Sequence, residues 1–273
     1  MSNKSNHKNE YNETISLTFS SSVENHRGME IIGNQNARGL TVEECIELSK
    51  RYPEYSEIIR LNELLPSTLS TDVKSNIDEA VVLIFRNGVE EVLGLDATEL
   101  YKEQTKLEYD SKMYAYGRVV NKHARHNLCF ADFSQSSDFA NKKGTIINFN
   151  DDKIKLTKYL RNAISEKIGG KCTNLFAEGN RYYDLKKTYI GFHGDTERNL
   201  VLCVRLGSNF PIYFQWYHKN KEVNEPVKID VNNGDIYIMS EKAVGTDWKC
   251  SSKYTLRHAA ALNEKLIFKK KED

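Results

Sequence analysis

His193 and Asp195, in the stretch "GFHGDTERN" (191–199), place an imidazole and a carboxylate two residues apart. On an extended chain, side chains at i and i+2 project from the same face, so the two can converge on one cation. Two histidines and one carboxylate on one side of a metal are the ligand set of non-haem Fe(II) oxygenases, which keep the remaining positions open. The same donors with one open position also serve zinc hydrolases, whereas a closed four-ligand set suits structural zinc. A bland reading stands beside these: His-x-Asp is also at home in a solvated polar turn. The metal reading needs a third ligand. His7 and His26 lie in or near a polar N-terminal stretch, and His123 and His126 lie in the basic run "NKHARHN" (121–127). His218 closes an aromatic strand, and His258 sits on the later apolar segment "YTLRHAAAL".

The surrounding elements must deliver these groups. "LTVEECIELSKRY" reads as a helix with a Thr41/Glu44 capping box and Val42, Cys45, Leu48 and Tyr52 on one face. Ala80–Phe85 reads as a buried strand ending in an Asn87-Gly88 hairpin turn, and Asp96 caps a following helix. "DKIKLTKYLRNAISEKIGG" reads as a helix with Leu156, Tyr159, Leu160, Ala163 and Ile164 inward and a Gly169-Gly170 stop. Beyond it, "NRYYDLKKTYIGFHGD" reads as a hairpin turning near Asp184–Lys187. "NLVLCVRLG", "FPIYFQWYH", "PVKIDV", "GDIYIMS" and "EKLIFKK" follow as short strands. Many short strands after one helix suggest a β-sandwich or jelly roll braced by helices.

The stretch "EGNRYYDLKKTYIGFHGDTER" resembles the AlkB family of Fe(II)/2-oxoglutarate dioxygenases. There, an Asn-x-Tyr strand leads through a short turn to Ile-Gly-x-His-x-Asp-x-Glu. Asn180, Tyr182, Ile190, Gly191, His193, Asp195 and Glu197 match, with about one extra residue in the turn. "VLCVRLG", "FPIYFQW" and "GDIYIMSEKAVGTDWK" resemble the next family strands and the Trp-containing turn, so the likeness spans roughly residues 115–260. It implies an α+β fold with a double-stranded β-helix (jelly-roll) core, Fe(II) on His193, Asp195 and His258, and 2-oxoglutarate and O2 as co-substrates. Asn180 and Tyr182 would contact 2-oxoglutarate. The implied activity is oxidation, and for an N-methyl group demethylation, of a modified nucleic-acid base in DNA or RNA, as in DNA repair, with release of succinate and CO2.

This chain departs from the family pattern twice. The distal histidine usually follows the Trp-containing turn, where Cys250 stands here; a thiolate beside an oxygen-activating iron is exposed to its own oxidant, so His258 is the expected ligand. The family's far-carboxylate arginine lies on a last strand, where this chain has only Lys269 to Lys271. Arg205, centred in the apolar "LVLCVRL", is the alternative anchor, because an arginine in such a strand is costly without a partner. A protein side-chain hydroxylase of the same fold and a non-catalytic nucleic-acid-binding relative are the competing functional readings. "NKHARHN" as a phosphate-contacting loop and "PIYFQWYH" as a base-stacking strand compete with a solvated face and a plain core.

Composition sets the frame. The chain has 273 residues, 39% hydrophobic and 28% charged, with formal net charge +1, so no global field favours nucleic acid. No apolar run approaches about 20 residues, and no membrane span is expected. Five cysteines without a CxxC pair point to reduced thiols in an intracellular compartment, nucleus or cytoplasm. The expected organisation is a disordered polar arm (1–15), an N-terminal α/β region (16–112) and a dioxygenase domain (113–273).

Overall fold

The computed structural model of the protein describes residues 11–268. The fold is mixed α/β, with a large core of mainly antiparallel sheet and few helices. Its organising element is the strand Thr14–Ser20. Polar and apolar residues alternate along it, so Ile15, Leu17 and Phe19 face one side while Ser16 and Thr18 face the other. It pairs antiparallel with Phe176–Tyr182 on one edge and Val201–Gly207 on the other. It thereby becomes an interior strand of an eight-stranded sheet. The order across that sheet is Ser56–Arg60, Val81–Phe85, Ile236–Met239, Val201–Gly207, Thr14–Ser20, Phe176–Tyr182, His126–Ala131 and Ile146–Asn148. A smaller sheet carries Ile190–His193, Thr255–Ala260, Ile212–His218 and Lys221–Glu222, with Val227–Ile229 also on Ile212–His218.

Two-residue periodicity sorts the large sheet into two faces. Ile15, Leu17, Phe19, Leu83, Phe85, Leu202 and Val204 pack with the helical residues Cys45, Leu48, Leu100, Leu160 and Ala163. Val82, Ile84, Cys203 and Met239 pack against Phe214, Trp216 and Leu256 of the small sheet. The large sheet is therefore the middle layer, with helices on one face and the small sheet on the other.

Because Thr14–Ser20, Ser56–Arg60 and Val81–Phe85 pair into the same sheet as later strands, no structural boundary falls at 112/113. The expected arm is likewise shorter than 1–15, since Thr14 and Ile15 are buried in a strand; residues 1–10 lie outside the described residues.

Local signals hold where they are self-contained. Thr41 and Glu44 form the reciprocal capping box, and Asp96 accepts from the Thr98 and Glu99 amides. They fail where neighbours decide. Asn87 is left-handed, but a helical turn, Gly88–Glu91, follows instead of a hairpin. Both edges of Val81–Phe85 are already taken, and Asp235 Oδ1 accepts from the Asn87 amide at 2.9 Å. Phe176–Tyr182 and Ile190–His193 are not a hairpin either: the chain turns at Asp184–Thr188 and crosses from one sheet to the other.

In the helix Lys155–Ala163, Tyr159 is 56% exposed and Arg161 is inward, forked onto Asp132 at 2.6 and 2.8 Å. Thr157, Leu160, Arg161 and Ile164 fill the face at i, i+3, i+4 and i+7, which leaves position 159 on the flank. "EKLIFKK" begins as a 3-10 turn, Glu264–Leu266, rather than a strand, and its lysines 269–271 lie outside the described residues. Among the described residues, no helix is long and apolar enough to cross a membrane.

Candidate metal centre

Register across the sheets builds the site. Ile190–His193 lies antiparallel to Thr255–Ala260 with His193 directly opposite His258, so the two imidazoles meet at 4.4 Å between ring centroids. Asp195 follows two residues after the strand ends, held by its amide on the Val244 carbonyl at 3.1 Å. Gly194 is required there: a Cβ would stand 2.0 Å from the Gly245 carbonyl oxygen. The turn brings Asp195 Oδ1 to 3.4 Å from His193 Nε2 and 3.7 Å from His258 Nε2. One donor atom from each of the three residues lies within 4.8 Å of the others, close enough to hold one metal ion.

Hydrogen bonding fixes how these donors point. His193 Nδ1 donates to the Gly191 carbonyl at 2.8 Å, and a carbonyl only accepts. Nε2 is then the ring atom that faces the carboxylate, 3.4 Å from Asp195 Oδ1. Burial, and next the facing His193, push His258 down to about 3, so it is an uncharged donor at neutral pH. Burial alone would raise Asp195, but His193 and Arg198 outweigh it and hold the carboxyl well below the usual carboxylate range. Two ring nitrogens and a carboxylate oxygen turned toward one point need a positive centre between them, a proton or a metal ion. The donor set thus fits a divalent metal.

The cavity above this cluster, about 160 Å³, is lined by Ser16, Asn180, Tyr182 and Arg205 from the large sheet as well as by the three donors. Ser16 stands opposite Arg205 on one side and Asn180 on the other, so one row of the sheet floors the cavity with polar groups. Arg205 is 1% exposed and donates to Ser16 Oγ, while its Nε has no partner. No carboxylate among the described residues lies within 4.0 Å of it. Eight buried side-chain polar atoms of the described chain lack a hydrogen-bond partner; His26 Nδ1, Arg205 Nε, Trp248 Nε1 and His258 Nδ1 all belong to this cavity's wall. Buried polar groups are normally satisfied, so this concentration marks a place shaped for a polar ligand.

The other candidates fall elsewhere. Cys250 is half-buried in the turn after Trp248, its Sγ 3.4 Å from Ser252 Oγ, and is absent from the cavity wall. Lys122 is buried and donates to Asn25 Oδ1 at 2.8 Å, and His126 stacks on Tyr183, so "NKHARHN" is not an open phosphate loop. Arg125 alone of that run reaches the cavity, its Nε on Asn180 Oδ1 at 2.6 Å. Tyr213, Phe214, Trp216 and Tyr217 are buried, which removes "PIYFQWYH" as a stacking platform, and His218 stacks on Tyr254.

The site also has members that the sequence did not mark. Ser16 and Thr18 come from the N-terminal strand, whose only signal was the alternation in "TISLTFS". Glu24 and His26 close the rim. Burial pushes the Glu24 carboxyl up to about 7, and burial with Arg125 and Lys122 pushes His26 down to about 3.

A pH dependence follows for the metal-free protein. His26 and His258 take up a proton near 6.5 when unfolded but only near 3 when folded. Between those values the unfolded chain binds more protons, so stability falls as pH is lowered through that window. The slope is on the order of 1 kcal/mol per pH unit for each histidine. Urea unfolding midpoints between pH 7 and 4 should decline accordingly, and His26→Asn should flatten the decline; an unchanged slope refutes the assignment.

No family model matches the chain. It is 42% identical over 259 residues to the uncharacterized protein R156 of Acanthamoeba polyphaga mimivirus, an alignment covering 93% of this chain and 98% of that protein.

Proposed function

The chain belongs to the same protein family as the mimivirus homologue, and from its cavity we propose an Fe(II)/2-oxoglutarate-dependent dioxygenase of the AlkB-like kind. One juxtaposition carries this reading: a His193/Asp195/His258 cluster and a buried Arg205, with no carboxylate partner among the described residues, share a single cavity. When bound, the iron would couple decarboxylation of 2-oxoglutarate to succinate with oxidation of a substrate C–H bond by O2.

The chain's own groups have separate tasks. His193 and His258 would hold the ion through ring nitrogens and Asp195 through a carboxylate oxygen, a set of three protein ligands that would leave room for co-substrates. Arg205 would pair with the far carboxylate of 2-oxoglutarate, and Ser16, which accepts from its guanidinium, would orient it. Asn180 and Tyr182 flank the same floor. The two facing sheets suit a double-stranded β-helix, with the helices bracing its outer face. For the oxidised substrate we propose a modified base of DNA or RNA, because Arg27, Arg125 and Lys249 line the cavity as charges suited to phosphate.

Anaerobic titration tests the core of this reading. Fe(II) and 2-oxoglutarate together should produce a visible charge-transfer absorption that neither gives alone. Admission of O2 with methylated oligonucleotides should then yield succinate. If both components leave the spectrum unchanged, the dioxygenase reading is wrong; turnover with methylated peptides instead of oligonucleotides would move the substrate to protein.

A further inference from the structure

Arg198 is 5% exposed and surrounded by carboxylates. Its Nη2 donates to Glu178 Oε2 at 2.5 Å and lies 2.8 Å from Glu197 Oε1. Its Nε donates to Glu197 Oε1 at 2.9 Å and stands 3.7 Å from Asp195 Oδ2. The two oxygens of Asp195 are thereby distinguished: Oδ2 faces Arg198, and Oδ1 faces His193 and His258. Glu178 is itself fixed from the opposite side, its Oε1 accepting from Asn180 Nδ2 at 3.0 Å. Asn180 Oδ1 in turn accepts from Asn127 Nδ2 at 2.7 Å. A continuous chain of polar contacts therefore runs from the interior of the large sheet to the Asp195 carboxylate. That carboxylate needs such support, because it sits in a loop past the strand end with only its backbone tied down.

We propose that Arg198, braced by Glu178, is a positioning residue that holds Asp195 as a one-oxygen ligand and leaves the opposite side of the metal open. This rests on the reading of the cluster as a ferrous site. A carboxylate free to rotate can offer both oxygens and occupy a position meant for a co-substrate. With Oδ2 engaged by Arg198 it offers one. Groups that orient a ligand in this way typically change metal affinity 10–100-fold when removed.

Co(II) serves as the probe, since its visible absorption reports coordination number without turnover. Arg198→Ala and Glu178→Gln should each weaken Co(II) binding about 10–100-fold and alter the absorption envelope, with Arg198→Lys in between. A purely structural role would lower the thermal midpoint of the metal-free protein yet leave the affinity and spectrum of the folded fraction unchanged. Folded variants that bind Co(II) within twofold of the parent, with its spectrum, overturn the proposal. Arg198→Ala leaves three carboxylates facing one another; if it does not fold, Glu178→Gln, which keeps volume and hydrogen bonding, decides by the same two readouts. Failure of the underlying reading looks different: the unaltered protein would not bind Co(II), or would bind it equally well after His193→Ala.

Discussion

Under the proposed function, succinate formation should be lost in His193→Ala, Asp195→Ala and His258→Ala, and retained in Cys250→Ser. The loss should be on the order of a hundredfold or more, exceeding the effect of removing a group that merely orients a ligand. Each of the first three changes deletes one of the three donors that cluster among the described residues, which should weaken metal binding. Stability should change little in the metal-free state. His193 and Asp195 lie at the edge of the small sheet and belong to neither large apolar cluster. Circular dichroism and thermal melts of the metal-free variants separate loss of function from loss of fold. Near-full turnover in any one of the three, or loss in Cys250→Ser, would dismantle this ligand set.

Under the same reading, Arg205→Ala should raise the 2-oxoglutarate requirement about a hundredfold while iron binding persists. Removing the cation would leave the dicarboxylate unpaired in a partly buried cavity, which should cost on the order of 3 kcal/mol. Lys269→Ala is the control, since a lysine near the end of the sequence is the rival anchor, and it should behave as the parent. Titration of each variant with 2-oxoglutarate, followed by the charge-transfer absorption, reads both affinities directly. A large effect from the lysine and none from the arginine would transfer the anchor to that segment. Null results for both would remove 2-oxoglutarate as the co-substrate.

What was legible in the sequence is what local chemistry encodes. His193, Asp195, His258, Asn180, Tyr182 and Arg205 all line one cavity; spacing marked His193 with Asp195, an apolar setting marked Arg205 and His258, and the family resemblance alone pointed to Asn180 and Tyr182. The capping box at Thr41 and the Asp96 cap are equally self-contained. Illegible were the features that depend on which strand lies beside which. Nothing local states that Thr14–Ser20 runs between Phe176–Tyr182 and Val201–Gly207, so Ser16 and Thr18 went unmarked and a domain boundary was expected where none exists. Tyr182 to Ile190 reads as a hairpin because the turn is real, yet its two arms belong to different sheets. Arg198 looked like any charged residue after the motif; its burial by carboxylates comes from a strand about twenty positions upstream.

The interior position of Thr14–Ser20 has a consequence for biosynthesis. During translation this segment emerges well before either neighbour, Phe176–Tyr182 or Val201–Gly207, has been made. Its apolar side, Ile15, Leu17 and Phe19, has no sheet to join in the meantime. Contacts of such long sequence separation are slow to form, and a β-prone segment left waiting is an opportunity for intermolecular pairing. Nascent chains arrested before about residue 210 should therefore hold an unpaired, chaperone-accessible segment, and the floor of the cavity closes only as the last of its neighbours arrives.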